Sequence, residues 1–145
     1  MERDARNIYR NARIASGMTQ ERWAEHLGIT PDSVRRYESG EMMPADDIVI
    51  QMAELCGQHI LAYWHLVRKS RIAAAILPEL NQLGLPEAVL GLLIQIEDFR
   101  DTGMKKLLRI AADGKVDEDE AADYEDAIRQ LNAVVRSAMA LGYSK

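Results

Sequence analysis

The chain has one cysteine, four prolines and a single phenylalanine among its 145 residues, and aromatic side chains make up only 6% of it. A lone Cys56 excludes an internal disulfide and suits a reducing compartment, where it packs as a small apolar side chain with no nearby cation to activate it. No basic start leads into an apolar leader, and no apolar run reaches the roughly 20 residues that span a bilayer. A soluble, cytoplasmic protein with no membrane partner is therefore expected. Nucleophile elbow, phosphate loop and dinucleotide fingerprint are all missing. His26, His59 and His65 lie in no HExxH pattern, and His59 and His65, six apart, fall on different sides of a helix, so neither a metal nor a cofactor is expected. Residues 113–120 begin like a calcium loop, but Glu118 stands at the sixth position, which requires glycine, and Tyr124 at the twelfth, which requires a bidentate glutamate. With no catalytic constellation left, a non-enzymatic protein is expected.

Ala, Leu, Ile, Met and charged residues dominate what remains, and 48% hydrophobic content is enough for a core. Few stretches alternate as strands do, so the expected fold class is all-α. The net charge of −5 taken alone argues against nucleic acid. Its distribution weakens that objection: residues 1–70 carry 9 Lys and Arg against 10 Asp and Glu, and the remainder carries 9 against 13. Acidity is concentrated in the second half, and a local basic face, not the global charge, sets contact with phosphates.

The most informative stretch is TQERWAEHLGITPDSVRRYESG, residues 19–40. Thr19 is a good N-cap, but Arg22 occupies the place where a capping box needs Glu or Gln, so the hydroxyl acts alone. Trp23, Ala24 and Leu27 face one way, and Gly28 provides the left-handed stop. After a turn of only Gly28 and Ile29, Thr30 caps a second helix, Pro31 fits its first position and Asp32 suits the positive end of its dipole. Val34 and Tyr37 point inward, which leaves Asp32, Ser33, Arg35 and Arg36 to face outward. Two helices joined this tightly cross steeply and project the start of the second, a geometry that fits a DNA major groove.

With Gln20, Ala24, Leu27-Gly28, Val34, Tyr37-Glu38, Gly40 and Pro44 as framework, residues 7–57 resemble the helix-turn-helix of the Cro/phage-repressor (XRE) family. Trp23 departs from the usual Leu. The resemblance implies a five-helix DNA-binding bundle and a partly buried ion pair between Arg13 and Glu38 that clamps the first helix to the recognition helix. It also places Gln20, Thr30 and Ser33 where backbone or base edges are touched. At least one of Arg35 and Arg36 is expected to contact bases or phosphates, because arginine forks onto guanine O6 and N7. Pro31 is a candidate for apolar contact with a thymine methyl. Asp32 either accepts from cytosine N4 or stabilises its own helix, and the second is preferred.

The first helix is expected from Arg3 to Ser16, with Ile8, Tyr9, Ala12 and Ile14-Ala15 apolar and Arg3 and Arg6 on a solvated face; Gly17 stops it. A fourth helix opens at Pro44 or Ala45, with Asp46 and Asp47 in its first turn and Ile48, Ile50, Met52, Ala53, Leu55 and Cys56 buried, and ends at Gly57. A fifth starts near Gln58, with Ile60, Leu61, Trp64 and Val67 apolar, and its pattern continues through Ile72 to Ile76. Residues 1–70 thus form a DNA-binding domain and 71–86, with Pro78, Gly84 and Pro86, a connector. Residues 87–145 are read as a helical hairpin. Its first helix carries Val89, Leu92, Leu93, Ile96, Phe99, Leu107 and Ile110 with a bend at Gly103, and the second, behind an Asp117–Glu120 capping pattern, buries Ala121, Tyr124, Ile128, Leu131, Val135, Ala138 and Leu141. The two stripes exceed what one partner helix covers, which makes the hairpin a dimerisation element. The tail also resembles, over a short stretch, phage CII-type regulators, in which an Asp-Gly turn precedes a Glu-containing final helix.

The sequence reading is a sequence-specific regulator that binds double-stranded DNA as a homodimer on near-palindromic operators, of phage or mobile-element type. The alternative is a protein-interaction module, such as an antitoxin or anti-repressor, whose acidic hairpin binds a protein partner.

Overall fold

Threonine and glycine punctuate the first half of the chain in the computed structural model, which describes residues 7–145. The described residues up to Leu77 form one compact unit and Pro78–Lys145 a second. All regular structure among them is helical. The first unit holds α1 (Ile8–Ala15), α2 (Gln20–Leu27), α3 (Pro31–Ser39), α4 (Asp46–Cys56), α5 (Ile60–Lys69) and α6 (Arg71–Ile76). Thr19 Oγ1 accepts from Arg22 N at 3.2 Å and Thr30 Oγ1 from Ser33 N at 3.1 Å, so each hydroxyl satisfies an N–H that the helix cannot, worth about 1 kcal/mol per cap. Gly28, at φ +65°, turns the chain out of α2 in the left-handed region that a side chain resists. Arg3 and Arg6, expected on the first helix, lie outside the described residues.

The core of this unit draws on five helices: Ile8, Tyr9 and Ala12 of α1, Trp23, Ala24 and Leu27 of α2, Val34 and Tyr37 of α3, Val49, Met52 and Ala53 of α4, and Leu61 of α5. Trp23, only 1% exposed, fills the interior with the larger side chain. In α4 the apolar face differs from the sequence expectation. Val49 is buried and Ile50 is half exposed, because Val49, Met52 and Ala53 share the i, i+3, i+4 face that meets the core while Ile50 lies about 100° away. The fifth helix does not continue to Ile76. Ser70 takes an extended conformation (φ −116°, ψ 116°), and its hydroxyl accepts from Ala73 N at 3.1 Å to start α6 afresh. The first part of the segment read as a connector is therefore helical and packs with the first unit.

The second unit is a hairpin. Its first arm is α7 (Leu85–Asp98), a π-helical turn (Phe99–Gly103) and α8 (Met104–Ile110); its second is α9 (Ala121–Gly142). Gly103 is buried, and a Cβ there would stand 2.5 Å from Gln130 Oε1 and 2.7 Å from Phe99 Cδ2, so the missing side chain lets the second arm approach the π turn. Lys106 bonds Asp126 at 2.6 Å and Asp123 at 3.3 Å, and Arg109 also pairs with Asp123, tying the arms beside the loop. At the open end, Lys145 N donates to Leu83 O and Leu85 N donates to Lys145 O. Only the glutamate half of the expected capping box forms: Glu120 Oε2 accepts from Asp117 N at 3.3 Å, and the helix starts later, at Ala121, without a side-chain cap.

Little of this hairpin is interior. Leu80, Ala88, Ile110, Ala127 and Ala140 are buried, whereas Leu90, Leu93, Ile94 and Leu108 are at least half exposed. Ala121, Tyr124, Val135 and Ala138, expected to be buried in the last helix, are exposed, because the small Ala127 and Ala140 occupy its buried positions. No helix among the described residues is long and apolar enough to cross a membrane.

Candidate nucleic-acid interface

A nearly buried carboxylate fixes the framework of the site. Glu38, near the end of α3, is 7% exposed. Arg13 of α1 donates to it twice, from Nε to Oε1 at 2.5 Å and from Nη2 to Oε2 at 3.1 Å, and its Nη1 donates to Met18 O at 2.8 Å. Gln20 of α2 donates a further bond to Glu38 Oε2 at 2.8 Å. One acidic side chain thus ties three helices together through a two-pronged guanidinium contact. Its hydrogen bond raises the Arg13 pKa, with desolvation acting in the opposite sense. Gln20, expected at the DNA contact surface, has its amide engaged inside this cluster.

The outward residues of α3 lie in a second, exposed network. Thr30 and Ser33 are within 3.0 Å of one another through their hydroxyls, and Pro31 is exposed beside them. Arg35 donates to Asp32 Oδ1 from both Nε (3.1 Å) and Nη2 (2.9 Å), and its Nη1 donates to Glu41 Oε1 at 3.3 Å. The other oxygen of Glu41 lies 3.6 Å from Arg36 Nε. The bond from Asp32, then the charges of Asp32 and Glu41, raise the Arg35 pKa. Glu41 owes its place to the end of α3. Gly40, at φ +81°, reverses the chain, Met42 N closes back onto Arg36 O at 3.1 Å, and Glu41 N donates to Ser39 Oγ at 3.4 Å. That left-handed cap folds Glu41 over the last turn of the helix.

Residues 10–61 match a family model described as helix-turn-helix. This segment is a Cro/repressor-like helix-turn-helix of the XRE family. The match stops inside α5, short of the hairpin, and no curated protein and no solved structure matches the chain. The XRE domain is a DNA-binding regulator module, and its family is not one of enzymes.

The XRE domain brings Thr30, Pro31, Asp32, Ser33, Arg35 and Arg36 onto one short helix and its cap, and it sets Arg13, Glu38 and Gln20 behind them. Two features escaped the sequence reading. Glu41 carried no expectation from the sequence, although a residue just past a glycine cap is turned back towards the helix it follows. His65, dismissed as a metal ligand, is 4% exposed and links three helices: Tyr9 Oη lies 2.7 Å from its Nδ1, and its Nε2 lies 3.0 Å from Asp46 Oδ1, which also accepts from Lys69 at 2.6 Å. The bonds from Lys69 and His65 hold the Asp46 carboxyl below its usual range. Burial pushes the Tyr9 phenol up to about 12, with Arg68 opposing. A groove of about 460 Å³ behind the end of α3 is lined by Tyr9, Tyr37, Ser39, Gly40, Met42, Met43 and Arg68. Among the described residues no three His, Cys, Asp or Glu are grouped to hold a metal.

Proposed function

We propose that the chain is a sequence-specific transcriptional regulator of phage or mobile-element type that binds near-palindromic operators as a homodimer. The observation that carries this reading is the pair of half-exposed guanidiniums, Arg35 and Arg36, on the second helix of an XRE helix-turn-helix. Arg35 and Arg36 contact guanine edges or phosphates, Thr30 and Ser33 touch the backbone at the start of α3, and Pro31 meets a thymine methyl. Gln20 holds Glu38 and offers its remaining polar atoms to the phosphate backbone. The exposed leucines and isoleucine of α7 and α8 support pairing through the hairpin, because burying them against a second copy removes apolar area that a lone hairpin leaves in water. A two-fold dimer then meets half-sites about 34 Å apart.

Selection from a random oligonucleotide pool, followed by titration of the recovered duplex, tests the reading. Arg35→Ala and Arg36→Ala each weaken operator binding by about 1–3 kcal/mol without unfolding the protein. Full and equally selective binding by the double variant would reject the mechanism.

The acidity favours one rival, an antitoxin-like or anti-repressor-like module whose hairpin binds a protein. Its second half carries 13 acidic against 9 basic residues. Titration of DNA at two salt concentrations separates the two, since a DNA reader loses affinity steeply with salt and a protein adaptor binds little at either.

A further inference from the structure

We infer that Asp32 and Glu41 act on Arg35 in opposite senses: Asp32 is a positioning residue that aims its guanidinium, and Glu41 is a displaceable carboxylate that DNA must push aside. The inference rests on the DNA-binding reading above. Arginine recognises guanine through two parallel N–H groups, and a guanidinium has two faces that offer such a pair: the Nε–Nη2 side and the Nη1–Nη2 end. Asp32 takes the side, through bonds of 2.9 and 3.1 Å to one oxygen. What remains for a base is the end, and there Nη1 is held by Glu41 at 3.3 Å.

The two carboxylates differ in how firmly they hold. Asp32 lies one turn before Arg35 on the same helix, so helix geometry alone keeps the pair in register. Glu41 makes one longer contact and divides itself between Arg35 and Arg36, the second at 3.6 Å. It is nonetheless held nearby by the backbone, through the Gly40 reversal and the Met42 to Arg36 closure. All four side chains are about half exposed, so water screens each pair and each is weak enough to exchange for a base or phosphate. An approaching duplex therefore displaces Glu41 first. Asp32 stays, and it costs less conformational entropy to present a guanidinium that is already oriented.

This arrangement predicts opposite signs for two substitutions that each remove one negative charge from the same surface. A duplex attracted only by net charge would bind both variants more tightly. The test measures binding of the full chain to the selected operator and to a scrambled duplex of equal length. Asp32→Asn is expected to weaken the operator about twofold to fivefold while leaving the scrambled duplex unchanged or slightly tighter, so selectivity falls. Glu41→Gln is expected to tighten the operator about twofold to fivefold. Glu54→Gln, on the exposed side of α4, serves as the charge control and changes neither. In an Arg35→Ala background the loss from Asp32→Asn disappears, which separates aiming of Arg35 from a general effect on the helix. Thermal melting followed by tryptophan fluorescence shows that each variant is folded.

Tighter or unchanged operator binding by Asp32→Asn, or weaker binding by Glu41→Gln, overturns the inference while leaving the DNA-binding reading intact. Failure of the unsubstituted protein to select any duplex removes that reading itself, and the inference with it.

Discussion

Replacement of Arg13 by Met keeps most of the aliphatic stem and removes the guanidinium from the cluster that joins α1, α2 and α3. The side chains of Arg13 and Glu38 are 12% and 6% exposed, so their interaction is much less screened than a surface ion pair. Three hydrogen bonds go: two to Glu38 and one to Met18 O. Charge-assisted bonds are worth about 1.5–3 kcal/mol each, but they are not additive here, because all three belong to one group. The larger effect is the carboxylate left behind, with the Gln20 amide as its one remaining side-chain donor among the described residues. Removing one partner of a buried pair costs about 3–5 kcal/mol. Some water reaches the edge of the cluster, so the low end, about 3 kcal/mol, is expected. Urea unfolding followed by tryptophan fluorescence reads this directly, because Trp23 and Trp64 both lie in the first unit. At a slope of about 2 kcal/mol per molar urea the midpoint falls by about 1.5 M. Arg13→Met combined with Glu38→Met recovers more than half of the loss, since an apolar pair leaves no charge stranded. A single-variant loss below about 1 kcal/mol, or a double variant as unstable as the sum of two singles, would refute the argument.

Two further outcomes follow from groups in each unit. Folding keeps the Tyr9 phenol protonated up to about 12, against about 10 in the unfolded chain, so its stabilising contribution is complete below about pH 10 and is lost as pH rises through 12. Tyr9→Phe abolishes that alkaline slope in urea titrations and lowers stability near neutrality by about 1–3 kcal/mol, because buried His65 loses its Nδ1 partner; an unchanged slope would show that another group is responsible. In the hairpin, Leu93→Glu places a charge on the exposed apolar side of α7 and is expected to convert a dimer to a monomer in sedimentation equilibrium at micromolar concentration. An unsubstituted protein that is already monomeric there would remove the dimer from the proposal.

Helix ends in this chain depend on bonds spanning three or four residues, which is why they are legible without tertiary information. Thr19, Thr30, Gly28 and Gly40 act within their own turns, and the helices they bound follow from residue types alone. The α4 face was legible only in part. Val49, Ile48 and Ile50 are equally apolar, and which one meets the core depends on where α1, α2 and α5 pack against that helix. The same holds at Ser70, where a strong apolar pattern suggested continuation and the hydroxyl instead began a new helix. In the hairpin, large apolar residues were expected inside, but alanines and Gly103 make the contact between arms that approach closely, and this leaves the bulkier side chains in water.

Charge is less legible than apolarity for a physical reason: a side chain of either sign is at home on a solvated surface, so composition does not reveal its partner. The Asp32–Arg35 spacing could have been read as a one-turn pair, whereas Glu41 joins that pair only because Gly40 reverses the chain. The consequence is specific to the α3 surface. Four ionisable groups that would count as two positive and two negative charges in a sequence instead form one mutually compensated patch. An acidic chain can thus carry a DNA-reading helix, provided the contact is made by exchanging a weak internal partner for a better external one, so that duplexes offering acceptors in the right place repay the exchange and others do not.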